Sequence, residues 1–526
     1  MPSSSRPTDW QPEIDELNLR RRLALKLGGE ERVNRQHALG KLTIRERIDA
    51  LADPGSFHEI GALAGAGIYE DGEFQDFKPM PYVGGLIKVD GRRVAVGGHD
   101  FTVGGGAPDS MQQERFKSVF IAELAKEYRI PLILFHEGAG ANVAAAGMEG
   151  HAHLPSSFDA FGPDIRAGIE VPVIYSMSGA SAGAVGALAM VGHFVVMTEQ
   201  GSMFAGGPPL VKRALGADVT KEQLGGPDVH VRESGAVDNR ATDEYDAIAL
   251  MKKFLSYFPQ NVYSQPPVWP SSDPPDREEE DLLSIVPRER TRPYNMRRVV
   301  ELLVDDGDYF EVKPEHGVTV HTILARIGGY PVGIVANNPR MLAGAMTAAS
   351  ADKQGHFIEL CDHFHMPVVF LADVPGFMLG EQAERTGTLR HGMRAFWAMQ
   401  MAKVPIFTVI TRKNYGMAGQ ATANPSALNY RVGWPSGDWG SIPIEGGVDA
   451  AFKRDIANAP DPDKRRQEIE AFLLQFRNPF RTAEAFGIED LIDPRQTRSY
   501  IHRFLELAYE SLSSQLGIVW KAGVRP

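Results

Sequence analysis

Two stretches of small residues, each following a buried β run, carry the chemistry that this chain can do. In Val171–Met190 (VPVIYSMSGASAGAVGALAM) the β-branched and aromatic run Val171–Met177 enters a turn at Ser178–Gly183, and the spacing predicts a helix from Ala184 onward. A helix N-terminus fed by glycines leaves backbone N–H groups unpaired and aimed at one point. Such a point holds a carbonyl oxygen that is gaining negative charge, because the donors and the helix dipole are oriented beforehand. An oxyanion hole is therefore one reading of Gly179, Ala180, Ser181, Ala182 and Gly183. The other is a close helix–strand contact that simply needs small residues.

A second stretch favours the first reading. Val404–Ala423 (VPIFTVITRKNYGMAGQATA) repeats the order Val-Pro, β run and polar turn, then Gly416, Ala418 and Gly419. Around it, Pro367–Gly376 resembles Pro131–Gly140 at an offset of 236 (131 to 367), and Gly329–Asn338 resembles Gly91–Asp100 at 238 (91 to 329). Val171 and Val404 lie 233 apart (171 to 404). Three matches in one order at nearly one offset predict a duplicated domain with one oxyanion turn in each half.

Composition narrows the classes. A chain of 526 residues has length for two or more full cores, and 43% hydrophobic with 23% charged residues is ordinary globular protein. A net charge of −12 offers no basic footprint for nucleic acid. A single cysteine, Cys361, excludes an internal disulfide and a cysteine-based zinc site, and suits a reducing compartment. No apolar run reaches membrane-spanning length and the first residues lack a signal-peptide layout, so a cytoplasmic location is expected.

The elements that must position the turns follow in order. Residues 1–9 read as a disordered tail. Glu13 to about Leu51 has helical spacing, with a capping signal at Thr43–Glu46 and an Arg20-Arg21-Arg22 run that reads as a solvated face rather than an anion contact. Tyr82–Asp100 alternates as a hairpin turning at Asp90-Gly91. Gly104, Gly105 and Gly106 form a turn before a helix over Ser110–Arg129; no Walker or GxGxxG spacing is present, yet its amides could receive a ligand's edge. Gly206 and Gly207 open GGPPLVKRALG, a turn-rich rim or a plain loop. The division expected is a first domain over 1–263, a proline-rich linker over 264–290 and a second domain over 291–526, closed by an amphipathic helical tail from about Pro462 to Leu516.

Gly40–Gly61 (GKLTIRERIDALADPGSFHEIG), HDFTVGGGA, GGPPLVK, LGGPDVHVRESG, DVPGF and VITRKNYG together resemble the carboxyltransferase β subunit of biotin-dependent acyl-CoA carboxylases, over nearly the whole chain. The resemblance implies an α/β fold of two tandem crotonase-like domains of ββα units, assembled as a hexamer with sites shared between subunits. It implies carboxyl transfer from N-carboxybiotin to the α (or vinylogous γ) carbon of an acyl-CoA, through two enolate-like oxygens. The backbone N–H groups of Gly183 and Ala184 would hold the thioester oxygen, and those of Met417 and Ala418 the biotin oxygen. No Ala-Met-Lys-Met biotinylation sequence or ATP-binding glycine loop occurs here, so biotin would arrive on a separate carrier or α subunit. Biotin-dependent decarboxylases and transcarboxylases use the same subunit type.

The chain departs from the family in three places: Gly138-Ala139-Gly140-Ala141 for the usual GGAR, Tyr415-Gly416-Met417-Ala418 for Tyr-Gly-Gly-Ala, and Pro443 where glycine is common. Gln420 falls where relatives shape the acyl pocket. These changes bear on the identity of the acyl group, which the motifs leave open between propionyl-like and methylcrotonyl-like.

Rival readings exist. Gly179–Gly183 matches the G-x-S-x-G elbow of serine hydrolases, with His391 or His502 available for a triad, although the second copy has no serine at its turn. Cys361-x-His363-x-His365 and His151-x-His153 carry metal-ligand residue types, but alternate helical positions do not share a face, so no metal is expected. A non-catalytic acyl-CoA-binding scaffold is the remaining alternative.

Overall fold

The computed structural model describes residues 9–106, 111–138, 150, 159, 161–428 and 430–520. Two compact units emerge, Met1–Leu255 and Ser256–Pro526.

In the first unit the strands are β1 (His58–Glu59), β2 (Gly65–Glu70), β3 (Glu73–Pro79), β4 (Tyr82–Val89), β5 (Arg92–His99), β6 (Leu132–Gly138), β7 (Val173–Ala182), β8 (Phe194–Thr198), β9 (Ser202–Phe204) and β10 (Asn239–Ala241). They form a sheet in the order β1-β4-β5-β6-β7-β8-β10, with β9 added alongside β7 and β2–β3 as a separate ribbon. The β4–β5 hairpin is antiparallel and β5 through β8 run parallel. Central parallel strands are covered on both faces, which is why β6 is buried at every position and opens with the unbroken apolar run Leu132–Phe135 rather than an alternation.

In the second unit the strands are β11 (Tyr309–Val312), β12 (Val320–Ile327), β13 (Tyr330–Asn337), β14 (Val368–Val374), β15 (Ile406–Tyr415), β16 (Tyr430–Gly433), β17 (Asp438–Gly440) and β18 (Asp490–Leu491). Their order, β11-β12-β13-β14-β15-β16-β18 with β17 beside β15, reproduces the first sheet strand for strand. Each half is a mixed α/β domain, and the duplication expected from three sequence matches is present throughout.

It also extends to positions that those matches did not reach. The carboxylate of Asp53 accepts the N–H groups of Asp90 and Gly91 at 3.0 and 2.8 Å, and that of Asp305 accepts those of Gly328 and Gly329 at 2.8 and 2.7 Å. In both copies a carboxylate clamps the hairpin turn. Arg45 pairs with Glu59 at 2.9 Å and Lys117 stands 3.9 Å away; Arg297 pairs with Glu311 at 2.9 Å, with buried Lys353 attracted to the same carboxylate. An Arg–Glu–Lys group thus ties the entering helix, the edge strand and the crossover helix in each half, with the lysine buried in both.

Three expectations are adjusted. The turn expected over Ser178–Gly183 is strand as far as Ala182, because Ala180–Ala182 pair with β9 and keep the backbone extended. The expected helical tail is divided: helices Pro462–Leu474 and Pro479–Glu484 precede β18, which closes the sheet edge, and Thr497–Leu512 follows it. Ser264–Pro275 is counted in the second compact unit, where Arg498 donates to the carbonyls of Pro274 and Asp273 at 2.9 and 3.2 Å. The capping box at Thr43 forms as the residues suggest. Among the described residues no helix is long and apolar enough to cross a membrane. Residues 1–8, Ser110, Ala139–Ala141, His151 and His153 lie outside the described residues.

Candidate active site

β7 delivers the chain to Gly183, which turns at φ 62° and ψ −128° into the short helix Ala184–Leu188. That left-handed φ favours glycine. The N–H of Gly183 donates to the carbonyl of Phe204 at 3.0 Å, so this expected donor is spent within the fold. Here the expectation is corrected. The first helical residues, Ala184 and Val185, have N–H groups with no acceptor inside the helix. Gly104–Gly106, all at left-handed φ, come to the same place: a Cβ on Gly138 would lie 3.4 Å from the Gly106 carbonyl oxygen and 3.8 Å from the Val185 side chain. Gly206 and Gly207 follow Phe204 and lead into the helix Pro208–Leu215, so this rim continues from the strand that anchors Gly183.

The second turn has the same construction. β15 ends at Tyr415, Gly416 turns at φ 60°, and the helix Gly416–Gln420 begins. The offset of 233 (183 to 416) sets Met417 and Ala418 at the positions of Ala184 and Val185. Ala418 packs into a small cluster with Met346, Val374 and Ala421, whereas the Met417 side chain is 45% exposed and Gln420 is exposed. Gly419 lies against Asn414, where a Cβ would fall 2.7 Å from the amide oxygen. The counterpart of the Gly104–Gly106 turn is Leu342–Gly344, with Leu342 and Ala343 at φ 47° and 55°. Non-glycine residues held there indicate stored strain, a feature that clusters at functional sites. Lys413 donates to the Ala343 carbonyl at 3.2 Å and so joins this turn to β15.

A buried carboxylate lies beneath each turn. Glu137, at the end of β6, pairs with Lys41 and with Arg47 at 2.7 Å, and Arg47 also reaches Glu244 at 2.5 Å. Gly179 is needed beside this pair, since a Cβ there would collide with Glu137 and Lys41. Asp373, at the end of β14, pairs with Arg412 at 2.9 Å and lies 3.6 Å from Lys413. Buried charge requires such partners. The two carboxylates match by duplication, yet their cations come from different parts of the sequence. Individually these residues look like ordinary surface charges; only Arg47 carries a local hint, its place among the apolar residues of the helix Ile44–Leu51.

Ser181 has a fully buried side chain whose hydroxyl donates to the His136 carbonyl at 3.3 Å. His136 is itself buried between the rings of His99 and Tyr175, and its Nδ1 contacts the Val185 carbonyl at 2.8 Å. Burial first, and then the neighbouring His99, push its pKa down to about 3, so it is a neutral donor to the helix that follows Gly183 and a poor base. The Ser181 elbow therefore lacks an activated nucleophile nearby. His391 pairs with Asp352 on the helix Ala348–His363, and His502 with Glu506 on its own helix. Cys361 is buried with its thiol pushed above the usual range, and His365 bonds the Val262 carbonyl at 2.8 Å, so neither is presented to a metal. Arg20 is taken up by Glu16 and the Phe74 ring, whereas Arg32 and Arg35 line a cleft of about 330 Å³ that includes Gly104 and Gly105.

Comparison with known proteins follows this geometry. The family model described as "Carboxyl transferase domain" matches residues 35–517. The propionyl-CoA carboxylase carboxyltransferase subunit of Haloferax mediterranei is 34% identical over 511 residues, covering 96% of this chain and 98% of that one. The methylmalonyl-CoA carboxyltransferase 12S subunit of Propionibacterium freudenreichii subsp. shermanii is 35% identical over 498 residues, covering 94% of each. A crystal structure of transcarboxylase 12S, described as a hexamer with methylmalonyl-coenzyme A and methylmalonic acid bound, superposes with a TM-score of 0.88 at 32% identity over 100% of both chains. With the duplicated sheets and paired turns in place, these matches establish that the chain belongs to the carboxyl transferase domain family.

Proposed function

We propose that this chain is the carboxyltransferase component of a biotin-dependent enzyme acting on an acyl-CoA of the propionyl or methylmalonyl type. The observation that carries the reading is the register-matched pair of helix N-termini, Ala184/Val185 and Met417/Ala418, one in each half. Two sites built only from donors suit a reaction in which negative charge develops on two carbonyl oxygens. In the first unit the N–H groups of Ala184 and Val185 hold the thioester oxygen as it gains charge. Each such donor lowers the barrier by about 2.7–4 kcal/mol. Arg32 and Arg35, beside Gly104 and Gly105, supply cations suited to the phosphates of coenzyme A.

The donor set of the second turn fits a ureido carbonyl, because Gly416 has no side chain to cover the amides and the Met417 side chain points to solvent. Biotin, carried on a partner protein, supplies the transferable carboxyl group. Met417 and Ala418 orient its carbonyl and stabilise charge there, and strand β15 with Lys413 holds them in place. The fold's likeness to transcarboxylase 12S supports a hexameric assembly, and the lone buried cysteine supports a cytoplasmic location.

The test uses the full chain with free biotin and a panel of malonyl-, methylmalonyl- and methylglutaconyl-CoA, followed by mass spectrometry and a thiol reagent. Biotin-dependent appearance of one decarboxylated acyl-CoA without thiol release is expected. Thiol release independent of biotin would replace this reading with hydrolysis.

A further inference from the structure

Three side chains converge on Tyr415, the buried residue that leads into Gly416 and the second turn. Its hydroxyl accepts from Arg477 and, at 3.3 Å, from Arg290. Burial first, and then a hydrogen bond to the Asp438 carboxylate, push its pKa up, so the phenol keeps its proton and donates it to that carboxylate. One donor and two acceptor sites are all that a phenol oxygen has, and here each is used. The Arg477 guanidinium also lies over the ring, 4.8 Å from its centroid, in a cation–π contact. It donates in addition to Asp438 at 3.2 Å and to the Ile442 carbonyl at 2.6 Å.

Both arginines come from far along the chain. Arg477 lies 62 residues beyond Tyr415, between the helices Pro462–Leu474 and Pro479–Glu484, and Arg290 lies 125 residues before it. What they grip is the pairing of β17 with the end of β15, where Lys413–Tyr415 face Asp438–Gly440. Ser441 follows β17, and a Cβ on Gly416 would lie 3.1 Å from its carbonyl oxygen, so this segment walls one side of the turn. Ile442 then precedes Pro443, the proline at which the chain departs from the family's glycine. At the offset of 233 the first half has Ala182 in place of Tyr415 (182 to 415), with neither hydroxyl nor ring, so the clamp belongs to the second turn alone. Donors to a developing charge must be held within about 0.5 Å of their productive place. We propose that Arg477 is a positioning residue for the second turn, fixing through Tyr415 and the Ile442 carbonyl the strand end that leads into the Met417 and Ala418 amides. For what those amides receive, the inference rests on the carboxyl-transfer reading.

Arg477→Met in the full chain tests it, because Asp438 keeps Arg290 at 2.6 Å and no carboxylate is left alone. Amide hydrogen exchange is expected to quicken at least fivefold over 413–421 and 438–442, and to stay within twofold over 180–188. With free biotin, turnover of the carboxylated acyl-CoA is expected to fall at least tenfold while its KM stays within twofold, since the first turn keeps its donors. Tyr415→Phe, which retains the ring, is expected to lower turnover at least threefold. The double variant should lie within twofold of Arg477→Met, because the two groups act as one unit. Arg481→Met, whose guanidinium lies over the Phe476 ring instead, is expected to leave exchange and turnover within twofold. Unchanged exchange over 413–421 in Arg477→Met would overturn the proposal, as would single effects that multiply in the double variant. A wild-type chain without biotin-dependent turnover would refute the carboxyl-transfer reading instead, and the exchange comparison would still decide whether Arg477 holds the turn.

Discussion

Replacing Ala184 with proline deletes one N–H and little else. Ala184 is the first residue of its helix, where a proline's fixed φ is already suitable and no intrahelical bond is lost. The preceding residue, Gly183 at φ 62° and ψ −128°, lies outside the α region that a following proline disfavours. Because the Gly183 N–H is committed to Phe204, the first turn has only the Ala184 and Val185 pair to offer. Losing one of two oxyanion donors costs about 2.7–4 kcal/mol, which lowers kcat by about 10²–10³. The assay is biotin-dependent decarboxylation of the acyl-CoA that the wild type accepts, with Ala184→Gly as the variant that keeps the N–H. Ala184→Pro should lose about two to three orders of magnitude in kcat with its thermal midpoint nearly unchanged, and Ala184→Gly should stay within tenfold. Activity of Ala184→Pro within threefold of wild type would refute the assignment of this pair as donors.

Two further outcomes follow from the same site. Ser181→Ala should leave turnover within a few fold, since its hydroxyl is buried on the His136 carbonyl; a loss of several orders of magnitude would restore the nucleophile reading. His136 in the folded chain titrates near 3, below its ordinary 6.5, so between those values the unfolded chain binds a proton that the folded chain refuses. Its stabilising contribution is complete above pH 6.5 and is lost as pH falls toward 3. His136→Gln keeps a donor for Val185 without that titration, so its thermal midpoint should fall less steeply than wild type across pH 6.5 to 3. Parallel curves for the two proteins would contradict this account.

Met417 shows how the turns tolerate variation. In the proposed function donation at this position comes from the backbone, so a methionine in place of glycine preserves the N–H while adding a side chain that points to solvent. The buried Glu137 and Asp373 have a different constraint. Each must keep its cations, because a charge left alone in the interior costs several kcal/mol. The helix Ile44–Leu51 is held to β6 by Arg47 on Glu137, so the first turn's support begins more than a hundred residues upstream of Gly183 (47 to 183).

The sequence by itself determined the duplication, the strand–turn–helix character of both turns and the family, because these are recorded in local residue types at a repeated offset. Val-Pro followed by a β run and a glycine reads the same way in either copy. Which amides remain free was decided only in three dimensions. Gly183 looks like a donor until β9 brings the Phe204 carbonyl to it, and that pairing partner lies 21 residues away (183 to 204). Likewise, nothing local to Lys41, Arg47, Arg412 or Lys413 says which carboxylate each will meet. Hydrogen bonds to the backbone and the pairing of buried charge depend on distance in space, and chain folding sets that distance after local pattern has done its part.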